Sequence, residues 1–158
     1  MVIAELREML FFPIPPTTLV DLNDPRPPDP EHFGYSMQAM ISHRDAVGAD
    51  AFSATVCSPS WLAARLQPND ELGPRYVLAP EPFSKSVSAP GVWIIGRWDR
   101  AEIERAVRWI CDASSPGPDW DRVADRIGRS LAWEYDYRFD EDTNRRHGIP
   151  GPRGWTDT

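Results

Sequence analysis

Five carboxylates stand on, or just beyond, one short alternating segment of this chain. In Leu131-Ala132-Trp133-Glu134-Tyr135-Asp136-Tyr137-Arg138 the side chains sort by parity. Leu131, Trp133, Tyr135 and Tyr137 fall on one face of a strand, and Ala132, Glu134, Asp136 and Arg138 on the other. The acidic face runs on into Asp140, Glu141 and Asp142. Carboxylates backed by an aromatic wall suit two kinds of chemistry, proton transfer between paired acids or charge recognition of a basic partner. Glu134 and Asp136 lie two residues apart, a spacing that ordinary solvated strand edges share, so pairing alone does not make an acid/base site. A second acidic group, Asp21, Asp24, Asp29 and Glu31, lies in and just after a proline-rich stretch over 13–30.

Cys57 is the candidate nucleophile. It precedes Ser58-Pro59-Ser60, a helix start in which Ser caps and Pro occupies the first turn. A thiol at a helix N-terminus gains thiolate character from the helix dipole, and His32 or His43 would complete a nucleophilic pair. The other reading of Cys57, and of Cys111, is a small core residue in a reducing compartment, since each sits in an apolar-patterned segment. The histidines at 32, 43 and 147 form no His-x-x-x-His, and there is no Cys-x-x-Cys, so no metal site is expected. Phosphate-cradling glycine loops and the Gly-x-Ser-x-Gly elbow are absent as well, so no cofactor is expected.

With 158 residues, 41% of them hydrophobic, and seven Trp, the chain is long enough for one cored domain and too short for two ordinary ones. Its 17 Lys plus Arg against 24 Asp plus Glu leave a net charge of −7, which argues against nucleic acid or an anionic membrane as partner. No apolar run approaches the roughly 18 residues that cross a bilayer. Met1-Val2-Ile3-Ala4-Glu5 lacks the regions of a secretion signal, so the cytoplasm is the expected location.

The elements that must position these groups can be read from periodicity. Strands are predicted over 2–12, with imperfect alternation around Glu5 to Glu8, and over 35–42 and 51–57, the last two as an antiparallel hairpin. Val92-Trp93-Ile94-Ile95-Gly96 is apolar on both parities and predicts an inner strand covered on both sides. Asp99 caps a helix whose stripe is Ile103, Ala106, Val107, Ile110 and Cys111, and Trp109, off that stripe, is expected to pack at its rim. Asp119 caps another helix carrying Trp120, Val123, Ala124, Ile127 and Gly128. The expected fold is α+β, a single mostly antiparallel sheet of about five strands with two or three amphipathic helices packed on it. One domain spans 1–138, with 67–90 as a long loop insertion carrying a short strand at 76–78, and 139–158 as a polar tail.

Taken in order, Pro28-Asp29-Pro30-Glu31-His32-Phe33-Gly34-Tyr35, then Phe52-Ser53-Ala54-Thr55-Val56-Cys57-Ser58-Pro59-Ser60-Trp61-Leu62, then Trp120 and Trp133-Glu134-Tyr135-Asp136-Tyr137-Arg138, the chain resembles the immunity protein 8 family of bacterial polymorphic toxin systems. The resemblance runs to about Arg138; the 67–90 stretch is longer than the family's usual connection and the tail is extra. It implies a small, non-catalytic cytoplasmic protein that binds and neutralises a cognate protein toxin. A basic nuclease is the kind of toxin an acidic surface fits, because it mimics phosphate charge and steers encounter. On that reading Glu134, Asp136, Asp140, Glu141 and Asp142 face the toxin, with Asp21, Asp24, Asp29 and Glu31 as a second contributor. Trp133, Tyr135 and Tyr137 belong to the core or, alternatively, anchor the interface. A cysteine-dependent enzyme using Cys57, or an acidic scaffold module without a toxin partner, are the competing readings.

Overall fold

In a computed structural model, residues 1–19, 21, 24–65 and 91–134 are described. Strand β1 (Ala4–Pro13) pairs antiparallel with β2 (Gly34–His43), which pairs antiparallel with β3 (Asp50–Cys57). Helix α1 (Pro59–Arg65) follows β3 directly. The far edge of β3 is shared by two short strands: β4 (Val92–Ile94) runs parallel to Thr55–Cys57, and β5 (Ala132–Trp133) antiparallel to Phe52–Ser53. Between them come α2 (Arg100–Ser114) and α3 (Trp120–Ile127). Among the described residues the result is an α+β fold with a mostly antiparallel five-stranded sheet and three helices.

Parity divides the sheet into two faces. Tyr35, Met37, Ala39 and Ile41 of β2 face Phe52, Ala54 and Val56 of β3, and against them pack Ile103, Val107, Ile110 and Cys111 of α2 and Val123, Ala124 and Ile127 of α3. These residues form one contiguous buried core. The faltering alternation near the N-terminus has a local cause: the β1–β2 register shifts between Leu6 and Glu8, a bulge at Arg7 that restores the buried parity at Met9.

Helix starts follow the caps read from the sequence. Asp99 and Asp119 have extended backbones, and their carboxylates accept from the backbone N–H of Glu102 (3.0 Å) and Arg122 (2.8 Å). Ser58 is fully buried; its hydroxyl accepts from Trp61 N–H at 3.3 Å and from Phe33 N–H at 3.0 Å. One serine thus starts α1 and ties it to the entry of β2. Trp61 lies flat over Gly34 on the face opposite α2 and α3, where a Cβ would come within 2.2 Å of its ring. Ile14, Cys57, Trp61 and Leu62, with Val92 beside them, make a second small core there.

Three expectations are corrected. The 92–96 segment is not an inner strand: β4 is three residues long, with Val92 and Trp93 half-buried and Ile94 58% exposed, because β3 is its only strand partner among the described residues. The strand expected over 131–138 is regular only at Ala132–Trp133, with Glu134 in a turn, and 135–138 lie outside the described residues. Trp109 does not pack at the rim of α2; it is 70% exposed, since the buried stripe of Ile103, Val107, Ile110 and Cys111 turns its side of the helix away from the sheet. The 67–90 insertion, its strand at 76–78 and the 139–158 tail also lie outside the described residues.

Candidate functional site

Of the acidic residues singled out by sequence, Glu134 and the 21–31 loop are held by different elements. Glu134 ends β5: its N–H donates to Ala51 O at 3.0 Å, while its carboxylate accepts from Ala51 N–H at 2.6 Å. The side chain takes the place of a backbone carbonyl opposite Ala51, so the ladder stops there. Just before it, Trp133 stacks on Phe52, with ring centroids 6.1 Å apart and planes at 8°, which places this indole against the core. Asp136, Asp140, Glu141 and Asp142 lie outside the described residues.

The 21–31 loop spends much of its charge locally. Asp24 binds the Arg26 side chain at 2.6 Å and 2.7 Å and also accepts from Arg26 N–H, and these bonds hold its carboxyl below the usual range. Asp21 forms an isolated bridge with Asp24. Asp29 accepts from Glu31 N–H at 2.9 Å in a tight turn, and Glu31 pairs with Arg97 at 3.2 Å. The Glu31 carbonyl accepts from the Ser60 hydroxyl, which fixes this loop beside the start of α1. Glu134 therefore sits opposite Ala51 near the start of β3 and Glu31 just past its end, about 23 Å apart at a rise of roughly 3.3 Å per residue. The structure does not bring them together.

Cys57 is fully buried between Ile14, Trp61 and Leu62. Burial pushes its thiol up to about 11, the opposite of what a nucleophile needs at neutral pH. His32 Nδ1 lies 2.9 Å from Ser60 Oγ, and His43 Nδ1 accepts from Asp45 N–H at 2.9 Å. His43 closes β2 at the end opposite Gly34, the partner of Cys57, so about 30 Å of strand separates it from that thiol. Among the described residues no group of three or more His, Cys, Asp and Glu could hold a metal ion.

Two features escaped the sequence reading. Asp50 Oδ2 accepts both the Trp120 indole N–H at 2.8 Å and that of Trp133 at 3.0 Å, joining α3 and β5 to the start of β3. An open depression of about 490 Å³ lies between Asp24, Pro25, Arg26, Trp98, Asp99 and Arg100. Trp98 forms part of an aromatic cluster with Phe11, Phe33 and Tyr35. No signal in the linear order joins residues so far apart.

Residues 16–137 match the protein family described as Immunity protein 8. The chain belongs to that family. In this immunity protein 8 chain the matched stretch begins after β1 and takes in β2 to β5, both acidic groups up to Asp136, and all three helices. No curated protein and no solved structure matches the chain. No helix among the described residues is long and apolar enough to cross a membrane.

Proposed function

We propose that this protein is an immunity protein that binds a cognate bacterial toxin in the cytoplasm and neutralises it through an acidic surface, without catalysis. The family match over 16–137 carries this reading. The net charge of −7 supports a basic partner, a nuclease being the toxin class whose phosphate-binding groups such a surface would occupy. Glu134, Asp136, Asp140, Glu141 and Asp142 are the proposed contact residues, with the Asp21, Asp24, Asp29 and Glu31 loop as a second contributor. The loop's ion pairs with Arg26 and Arg97 reduce what it offers to long-range attraction, which favours the first group. The burial and raised pKa of Cys57 weigh against the thiol-enzyme alternative.

The test begins with a search for a toxin reading frame beside this chain's own and uses that toxin domain, inactivated in its active site. Wild-type protein is expected to form a stable complex with it and to abolish the active domain's toxicity when co-expressed. Reversing the charges of Asp140, Glu141 and Asp142 should slow association strongly at low salt and leave the melting temperature unchanged. Unchanged association removes those three residues from the interface. Rapid alkylation of Cys57 in the native protein at neutral pH would instead revive the enzyme reading.

A further inference from the structure

The sheet has one face that α2 and α3 do not cover. Its side chains are of the parity opposite to the core: Glu8, Leu10 and Phe12 of β1 lie beside Met40, Gln38 and Ser36 of β2, which lie beside Ala51, Ser53 and Thr55 of β3. Among the described residues, helix α1 caps only the end of this face next to Gly34 and Cys57. Beyond it, Phe12 is 50% and Leu10 37% exposed, and Met40, Gln38 and Ser53 are half-buried. Large apolar side chains on an uncharged, small-residue floor are an interface core in composition.

Charge on this face is arranged by the bulge in β1. Arg7 donates to Ser42 Oγ at 2.8 Å and to the carbonyls of His43 and Arg44, and pairs with Glu5 at 3.3 Å, so its guanidinium is occupied and Glu5 is neutralised. Glu8, one residue on, has no ion pair among the described residues. In the same cross-strand row, beyond Met40 and Ala51, the Glu134 carboxylate stands at the other margin, about 14 Å away at three strand spacings. An apolar floor is thus flanked by negative charge on both margins, and Arg7, the basic residue of β1 beside it, is already committed.

Resting on the reading of this chain as an immunity protein, we infer that the sheet face opposite α2 and α3 is the docking surface for the toxin, and that the toxin presents there an apolar side chain flanked by Lys or Arg. Leu10 and Phe12 receive the apolar group, and Glu8 and Glu134 the basic ones. The outer face of α2, with Trp109, stays outside the contact.

The experiment measures binding of the full chain to the inactivated toxin domain encoded beside it, for wild type, the Leu10→Glu/Phe12→Glu pair, Glu8→Lys, and Trp109→Ala. The double variant should bind about 100-fold more weakly, as loss of central apolar anchors does. Glu8→Lys should lower the association rate about tenfold at low salt, a difference that fades at high salt. Trp109→Ala should match wild type. Because the double variant could perturb β1 itself, Phe12→Cys provides a second readout. Its thiol should react quickly with a maleimide in the free protein and be protected in the complex, while Cys57 and Cys111 remain buried. Wild-type affinity in the double variant, loss of binding in Trp109→Ala, or slow Phe12→Cys labelling in the free chain, which means that another part of the chain or a second copy covers the face, overturns the inference. A wild-type chain that ignores the toxin domain fails earlier, at the immunity reading itself.

Discussion

Asp50 Oδ2 holds two indole N–H groups at once, from Trp120 and Trp133, and both rings also pack on Phe52. An indole N–H has no alternative donor geometry, so removing its acceptor leaves a half-buried donor unsatisfied. Asp50→Ala is expected to cost about 2–4 kcal/mol, one penalty for each stranded donor, whereas Asp50→Asn keeps an oxygen and should cost roughly half as much. Urea denaturation of the two variants checks this. Combining Asp50→Ala with Trp133→Phe should cost less than the sum of the two, because the second change removes a donor that the first has already orphaned. Glu134 is also a residue with two employments. One oxygen of its carboxylate replaces a ladder carbonyl at Ala51, and the remaining acceptor sites of this exposed group stay open to a partner.

At the scale of elements, the placement of α1 rests on a glycine. Gly34 pairs with Cys57 across β2 and β3, and the Trp61 ring occupies the volume where a side chain would stand. Gly34→Ala should destabilise the protein by about 1–3 kcal/mol through overpacking, with the loss concentrated on α1. Thermal melts and a shift in Trp emission measure it, and Trp61→Leu in the same background should recover part of the loss. In this chain the steric demand of the Trp61 ring thus ties the residue type at 34 to the position of α1. The bulge at Arg7 is the other device at this scale. It converts a strand whose pattern falters into one that buries Leu6 and Met9 and still turns Leu10 and Phe12 outward.

For the whole molecule, three buried acids of high pKa set the alkaline limit of stability. Burial pushes the Cys57 and Cys111 thiols from 9.0 up to about 11 and about 12, and the Tyr35 hydroxyl, which donates to Pro25 O at 2.6 Å, from 10.0 up to about 12. The unfolded chain releases these protons first, so above about 9 it binds fewer protons than the native state and rising pH favours unfolding. Stability is expected to be intact below pH 9 and to fall steadily between about 9 and about 12. Melting temperature against pH tests the slope, and Cys57→Ala and Cys111→Ala should each flatten it. The same burial disfavours both thiolates at neutral pH, and it comes from the packing of the fold rather than from a local partner.

The α+β class, the hairpin of β2 and β3, the two capped helices and the family were legible in the linear order, because periodicity, capping residues and motif spacing act over a few neighbouring residues. The burial of Cys57 could be read only as one of two options, since a strand end and a helix start stand side by side there and only packing chooses between them. The exposure of Trp109, the shortness of β4 and the separation of Glu134 from Glu31 by the length of β3 depended on which strands become neighbours and which face the helices cover. That choice is made by long-range burial of apolar area, a quantity that no window of the chain contains.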